Sequence, residues 1–163
     1  MTKNNYFSVK GLVISAMVAA LYITLTFAFK AISFGAVQFR ISEVLTILPL
    51  FTPYAVPGLI VGCFLGNLIG NALIYDVIFG TLATAIAALL TYALRKNKYV
   101  ALAPPVVVNA IIVGLVLTYG YNLPMLWLNI GSVFAGQAVV CYGVGLPVMY
   151  LLERVNFKKW LEN

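Results

Sequence analysis

Six apolar runs, each near the length of a bilayer crossing, constrain this chain more than any other feature. A spanning helix needs roughly 20 apolar residues to cross about 30 Å of hydrocarbon. The runs cover approximately residues 9–29, 41–56, 57–75, 77–94, 100–119 and 124–152. The second is the shortest, because Pro49, Pro53 and Pro57 break it up, and a five-span bundle with that segment re-entrant is the alternative count. The last is long, and Pro147 is expected to kink it or to end its regular part.

With 63% hydrophobic and 9% charged residues, and a mean hydropathy of +1.03, the 163-residue chain lacks the polar surface of a soluble domain. The expectation is an all-α integral membrane protein, a six-transmembrane-helix bundle forming a single membrane domain over 1–163. The N-terminus has a basic start and an apolar run, as a signal peptide does. That run is long and no small-residue cleavage site closes it, so it reads as a retained first helix.

Charge orients the bundle. Lys3 and Lys10 precede the first span, Arg95, Lys96 and Lys98 lie between the fourth and fifth, and Arg154, Lys158 and Lys159 follow the sixth. Six spans put all of these on one side and leave Lys30 and Arg40 on the other. The positive-inside rule then places both termini in the cytoplasm of a cell-membrane protein. Five spans would separate the Arg95–Lys98 group from the C-terminal basic cluster, so charge favours six.

The formal net charge of +6 follows from this arrangement. The basic residues are not interleaved as in a nucleic-acid patch, and membrane lipid is their sufficient partner. Histidine is absent, and Cys63 and Cys141 stand singly in apolar helices without CxxC spacing. They read as small buried packing residues, and nothing points to zinc or redox chemistry or to a cofactor.

The third run, PGLIVGCFLGNLIGN, repeats glycine at 58, 62, 66 and 70. Small residues four apart lay a groove along one helix face and let a neighbouring backbone come close in lipid. In the first span Ala16 and Ala20 form an AxxxA pair with Ser15 and Ala19 alongside, which also suits a close helix–helix contact. The partner helix could belong to this chain or to another.

Polar residues gather at the opposite, external end. Gln38, Arg40 and Glu43 stand at the start of the second span, and Asn67, Asn71 and Tyr75 lie toward the end of the third. Asp76 opens the fourth, Tyr119, Tyr121 and Asn122 flank the last external loop, and Trp127 and Asn129 begin the sixth. Each has a plain alternative. The aromatics could form an interfacial belt, Asp76 could cap its helix, and Arg40 with Glu43 at i, i+3 could be a surface ion pair. Glu43 fits a plain role least: it lies one turn into its span, and a carboxylate there is costly, roughly 2.5–3.5 kcal/mol at a span's centre on insertion scales and less near the interface. Carboxylates accept paired N–H donors, amides donate and accept, and aromatic faces stack on planar rings. These residues suit a planar polar ligand entering from outside.

The stretch FGAVQFRISEVLTILP (34–49), the glycine helix quoted above and YDVIFGTLAT (75–84) resemble the QueT family of energy-coupling factor (ECF) transporter substrate-binding components. The resemblance covers nearly all of the chain, and QFRISE is its most specific part. It implies a six-helix, ECF S-component-like protein that captures queuosine precursors, queuine or related 7-deazaguanines. It also implies an ECF T component docking on Ala16 and Ala20, and two cytoplasmic ATPases as partners. The chain has no GxxxxGK[ST] phosphate loop, in keeping with a non-catalytic capture role. Carried onto these residues, Glu43 would accept from the guanine-like N–H edge and Arg40 would position Glu43 or close the loop. Asn67 and Asn71 would meet the carbonyl or ring nitrogens, and Tyr119, Tyr121 or Trp127 would stack. Asp76 would favour a cationic aminomethyl group.

Three other readings compete. One is an S component for another small vitamin, and one is a proton-coupled secondary transporter using Glu43 and Asp76. The third, a membrane enzyme, lacks support because Ser15 and Ser42 have no paired base.

Overall fold

The computed structural model describes residues 8–33 and 39–162. Gln38 therefore lies outside the described residues. Among these residues all regular structure is helical. Helix α1 (Val9–Ala28) starts at Ser8, whose hydroxyl accepts from the Gly11 N–H. A single turn, Lys30–Ser33, follows it. Then come α2 (Ile41–Leu50), α3 (Ala55–Ile69), α4 (Asp76–Ala93), α5 (Lys98–Gly120), α6 (Leu126–Arg154) and the short α7 (Phe157–Glu162).

Each of the six expected spans corresponds to a helix, but they are not equal. α1, α4, α5 and α6 are long and apolar enough to cross a membrane, whereas α2 and α3 are shorter. α2 is wound as a 3₁₀-helix of ten residues. At about 2.0 Å per residue it reaches roughly 20 Å, and the fifteen residues of α3 reach about 22 Å at 1.5 Å per residue. Pro49 lies inside α2 and Pro53 in the turn after it, while Pro57 sits in the first turn of α3, where a missing N–H costs little. α6 continues past Pro147, but its regular α-helical part is interrupted just before that residue by a wide π-type turn over Val139–Val144.

Glycine contacts give the direction of the first three helices. A Cβ on Gly58 would come 2.5 Å from the Ser15 carbonyl oxygen, and one on Gly62 would come 2.7 Å from Tyr22 Cβ. Farther along, Gly66 faces Thr26, and at the start Gly11 faces Tyr54. Rising numbers on both helices mean that α1 and α3 run parallel, with α2 bringing the chain back between them. Gly58 and Gly62 are the close-approach positions of the glycine repeat. Gly66 has ordinary clearance, and Gly70 caps the helix through its N–H to the Gly66 carbonyl.

At the far side of the bundle α5 and α6 are antiparallel. Gly114 lies against Ile130 at one end, and the Tyr142 hydroxyl donates to the Tyr99 carbonyl at the other. That second end also holds Arg95, Lys98, Lys158 and Lys159 around one recess, and Lys10 beside Phe157 and Leu161. The two basic clusters thus share an end, as the charge argument requires.

The surface is inverted relative to a soluble protein. Leu12, Met17, Leu21, Phe64, Leu89, Ile111 and Leu151 are exposed, while Glu43, Asp76, Asn67, Thr84, Asn109 and Gln137 are buried. An apolar exterior around an interior that buries carboxylates and amides within its apolar core identifies a multi-pass membrane protein. Cys63 and Cys141 are both buried free thiols, Cys63 within the main apolar core with Tyr22, Ile47, Leu59 and Met149.

The close approach of α1 and α3 has a direct test. Gly58→Ala forces its methyl onto backbone and should lower stability by about 1–3 kcal/mol, the usual cost of overpacking. Gly131→Ala, with nothing within 4 Å of the added carbon, should stay within about 0.5 kcal/mol of the parent. Thermal unfolding in detergent, followed by circular dichroism, compares the two.

Candidate functional site

The 3₁₀ winding of α2 determines where its polar residues go. With three residues per turn, side chains at i and i+3 eclipse, so Glu43 and Thr46 stack along one face, and Arg40 stands just before the first turn with a non-helical backbone. All three are buried. Arg40 and Glu43 turn to different helices rather than forming a helix-surface pair.

Glu43 is fully buried, and its carboxylate is met from three other helices. The Tyr22 hydroxyl of α1 donates to Oε1 at 2.6 Å, and the Thr84 hydroxyl of α4 donates to the same oxygen at 3.2 Å. Asn109 of α5 donates through Nδ2 to Oε2 at 3.3 Å. One carboxylate therefore ties α1, α2, α4 and α5 together. Thr84 Oγ1 also lies 3.3 Å from Cys63 Sγ, which brings α3 into the cluster.

Arg40 makes its ion pair with Asp76, Nη2 to Oδ1 at 2.7 Å, both side chains being buried. Tyr121 donates its hydroxyl to the other oxygen, Oδ2, at 3.2 Å. Asp76 is thus no plain helix cap. It opens the wide π-type turn Asp76–Gly80, and its side chain faces inward. Asn67 fastens this turn by donating to the Asp76 backbone carbonyl at 3.1 Å. Gly80 leaves room for the group: a Cβ there would stand 3.2 Å from Asn67 Nδ2 and 3.3 Å from Arg40 Nη1 and Asp76 Oδ1.

Four of the residues expected at the site, Arg40, Glu43, Asn67 and Asp76, are thus brought together in the interior, with Tyr121 half-buried at its edge. Others are placed elsewhere. Asn71 is exposed, with φ +59°, beyond the end of α3. The helix stops at Ile69, so the i, i+4 relation to Asn67 is lost. Tyr119 and Trp127 are 72% and 82% exposed. They face outward, as belt aromatics do, and Tyr119 borders an apolar groove with Tyr75, Phe79 and Ile112. Asn129 is buried but holds the α5–α6 loop, donating to Thr118 Oγ1 at 2.9 Å and to the carbonyls of Leu123 and Pro124.

The site also contains residues that the sequence reading passed over. Tyr22, Thr84 and Asn109 supply the donors to Glu43; outside this cluster, Gln137 is a further buried amide on α6, accepting from the Cys141 thiol. Asn109 and Gln137 sit inside apolar runs, so the rule that singled out Asn67 applied equally to them. Tyr22 and Thr84 carried no such signal, since tyrosine and threonine are common in spans.

Chemically, the cluster offers a carboxylate already shaped to receive several N–H or O–H donors, beside a guanidinium–carboxylate pair. Glu43, Asp76 and Arg40 together carry a formal excess of one negative charge. Breaking a buried pair leaves an uncompensated charge, so Asp76→Asn should cost about 3–5 kcal/mol of stability. The double replacement Arg40→Met/Asp76→Leu should recover most of that loss. Denaturant titration of the purified variants measures both.

The family model described as QueT transporter matches residues 12–154, an interval that contains every residue of this cluster. No curated protein and no solved structure matches the chain. The match covers most of the chain, and the protein therefore belongs to the QueT transporter family.

Proposed function

We propose that this protein is the substrate-binding component of an ECF transporter and captures a queuosine precursor, queuine or a related 7-deazaguanine. The observation that carries the reading is Glu43, a fully buried carboxylate that accepts donors from three helices. A deazaguanine presents a ring N–H next to an exocyclic amine, a donor pair that one carboxylate accepts in its plane. On entry the ligand replaces some of the bonds from Tyr22, Thr84 and Asn109. Asn67 and Gln137 lie buried as amides for the carbonyl and ring nitrogens, and Tyr121 supplies the stacking face. Asp76 draws a cationic aminomethyl substituent toward the side with excess negative charge.

In this reading all six segments cross or enter the bilayer, and the end holding Arg95, Lys98, Lys158 and Lys159 is cytoplasmic, as the positive-inside rule demands. Ala16 and Ala20 are exposed on α1, and a groove of about 550 Å³ beside them runs past Ala19, Gly58, Val61 and Leu89. This small-residue surface receives the T component, whose two ATPases supply the energy. The external polar cluster and the cytoplasmic half of α1 then divide capture from docking.

Calorimetry of purified Glu43→Gln protein with queuine tests the capture half. The unmet hydrogen bond should weaken binding by about 1–3 kcal/mol, and an affinity equal to that of the parent overturns the assignment. For the docking half, Ala20→Trp should leave queuine binding nearly intact while abolishing co-purification with the T component. Uptake that persists without the ATPases and collapses with the proton gradient would instead identify a secondary transporter.

A further inference from the structure

The basic end of the bundle holds a recess of about 710 Å³ that the capture site does not use. Its rim carries Arg95 from the α4–α5 turn, Lys98 from the start of α5, and Lys158 and Lys159 from α7. Its floor is apolar, built from Leu50 and Phe51 at the end of α2 and from Phe157. The rings of Phe51 and Phe157 meet edge to face at 6.0 Å, which fixes α7 against the bundle.

The charges on the rim are unequally engaged. Lys98 is paired with Glu153. Arg95 lies over the Tyr92 ring at 4.0 Å and donates through Nη1 to the Tyr92 carbonyl. A guanidinium has five N–H donors, so this leaves donor capacity toward the recess. Lys158 and Lys159 are exposed on the same rim. Arg95, Lys158 and Lys159 thus converge on a space whose bordering Glu153 is already paired with Lys98.

Tyrosines give the depth of this recess. The hydroxyls of Tyr99 and Tyr150 are 2.7 Å apart and exposed, and Tyr142 donates to the Tyr99 carbonyl. Tyrosine concentrates at the headgroup level of a bilayer, where its ring is apolar and its hydroxyl wet. A cationic rim over an apolar floor at that level matches an amphiphile with an anionic head. A free anion would make no use of Leu50, Phe51 and Phe157.

We propose that this recess binds one anionic glycerophospholipid, its phosphate held by Arg95, Lys158 and Lys159 and its acyl chains on Phe51 and Phe157. The site sits at the basic end, whichever side of the membrane that end faces, and does not depend on the identity of the transported ligand.

Native mass spectrometry of the purified full chain tests this, using detergent micelles with equal amounts of chain-matched phosphatidylglycerol and phosphatidylcholine. The wild type should retain one phosphatidylglycerol in clear preference. Each of Arg95→Gln, Lys158→Gln and Lys159→Gln should reduce that preference about fivefold, and the triple variant by roughly a hundredfold, from the value of a basic residue near an anionic surface. Phe157→Ala should weaken retention of both lipids alike. Equal retention of the two lipids by the wild type overturns the proposal without recourse to any variant. Unchanged preference in Lys158→Gln and Lys159→Gln proteins with native helix content also overturns it. So does displacement of the lipid by glycerol phosphate at comparable concentration, which would mark a free-anion site. Loss of T-component binding in the triple variant with lipid preference intact would assign the recess to a protein partner instead.

Discussion

A carboxylate cannot be left unsatisfied in hydrocarbon, and the burial of Glu43 organises much of this molecule. Its donors come from Tyr22, Thr84 and Asn109, on three helices separated widely in sequence. Those helices must therefore approach α2 at one level and in fixed rotation. The same group that suits a ligand's N–H edge thus fastens the bundle when its donors are internal. In the proposed reading, capture and helix packing are two uses of one set of lone pairs.

Two local devices make this geometry reachable. The 3₁₀ winding of α2 stacks Glu43 and Thr46 on one buried face, which an α-helix would splay by its 3.6-residue turn, and the non-helical residue before it, Arg40, turns to another helix. The glycines at 58 and 62 let α3 come close enough to α1 for Tyr22 to sit beside the carboxylate. Packing between α1 and α3 consumes the inner face of α1, including Val18, Ala19 and Tyr22, and leaves Ala16 and Ala20 outward. One helix thereby serves the interior of this chain on one side and offers a smooth surface on the other.

Charge is divided by depth. Of the four acidic residues in the chain, Glu43 and Asp76 are buried in the polar cluster, with Arg40 the one basic residue placed there among the described residues. The remaining described cations gather mainly at the other end, where headgroups and water solvate them. The interior is left with a formal excess of negative charge and the interface with a positive one. Each excess is suited to a different class of small partner.

The six helical segments, the inverted surface and the shared end of the basic clusters were legible in the sequence. Hydropathy and charge act locally, and each segment carries its own signal. Asn71, Tyr119 and Trp127 could not be sorted from Asn67 and Tyr121 on that basis. Whether a residue faces the interior depends on where a helix stops and how it is rotated, as the end of α3 at Ile69 shows for Asn71. The exchange of partners that gives Arg40 to Asp76 and Glu43 to Tyr22, Thr84 and Asn109 was decided by tertiary structure alone. Sequence alone determined that polar groups had to be buried in lipid, because the runs that contain them are too apolar to lie elsewhere. Their pairing required the packed bundle, since partners 21 to 66 residues apart meet only when the helices have chosen their neighbours.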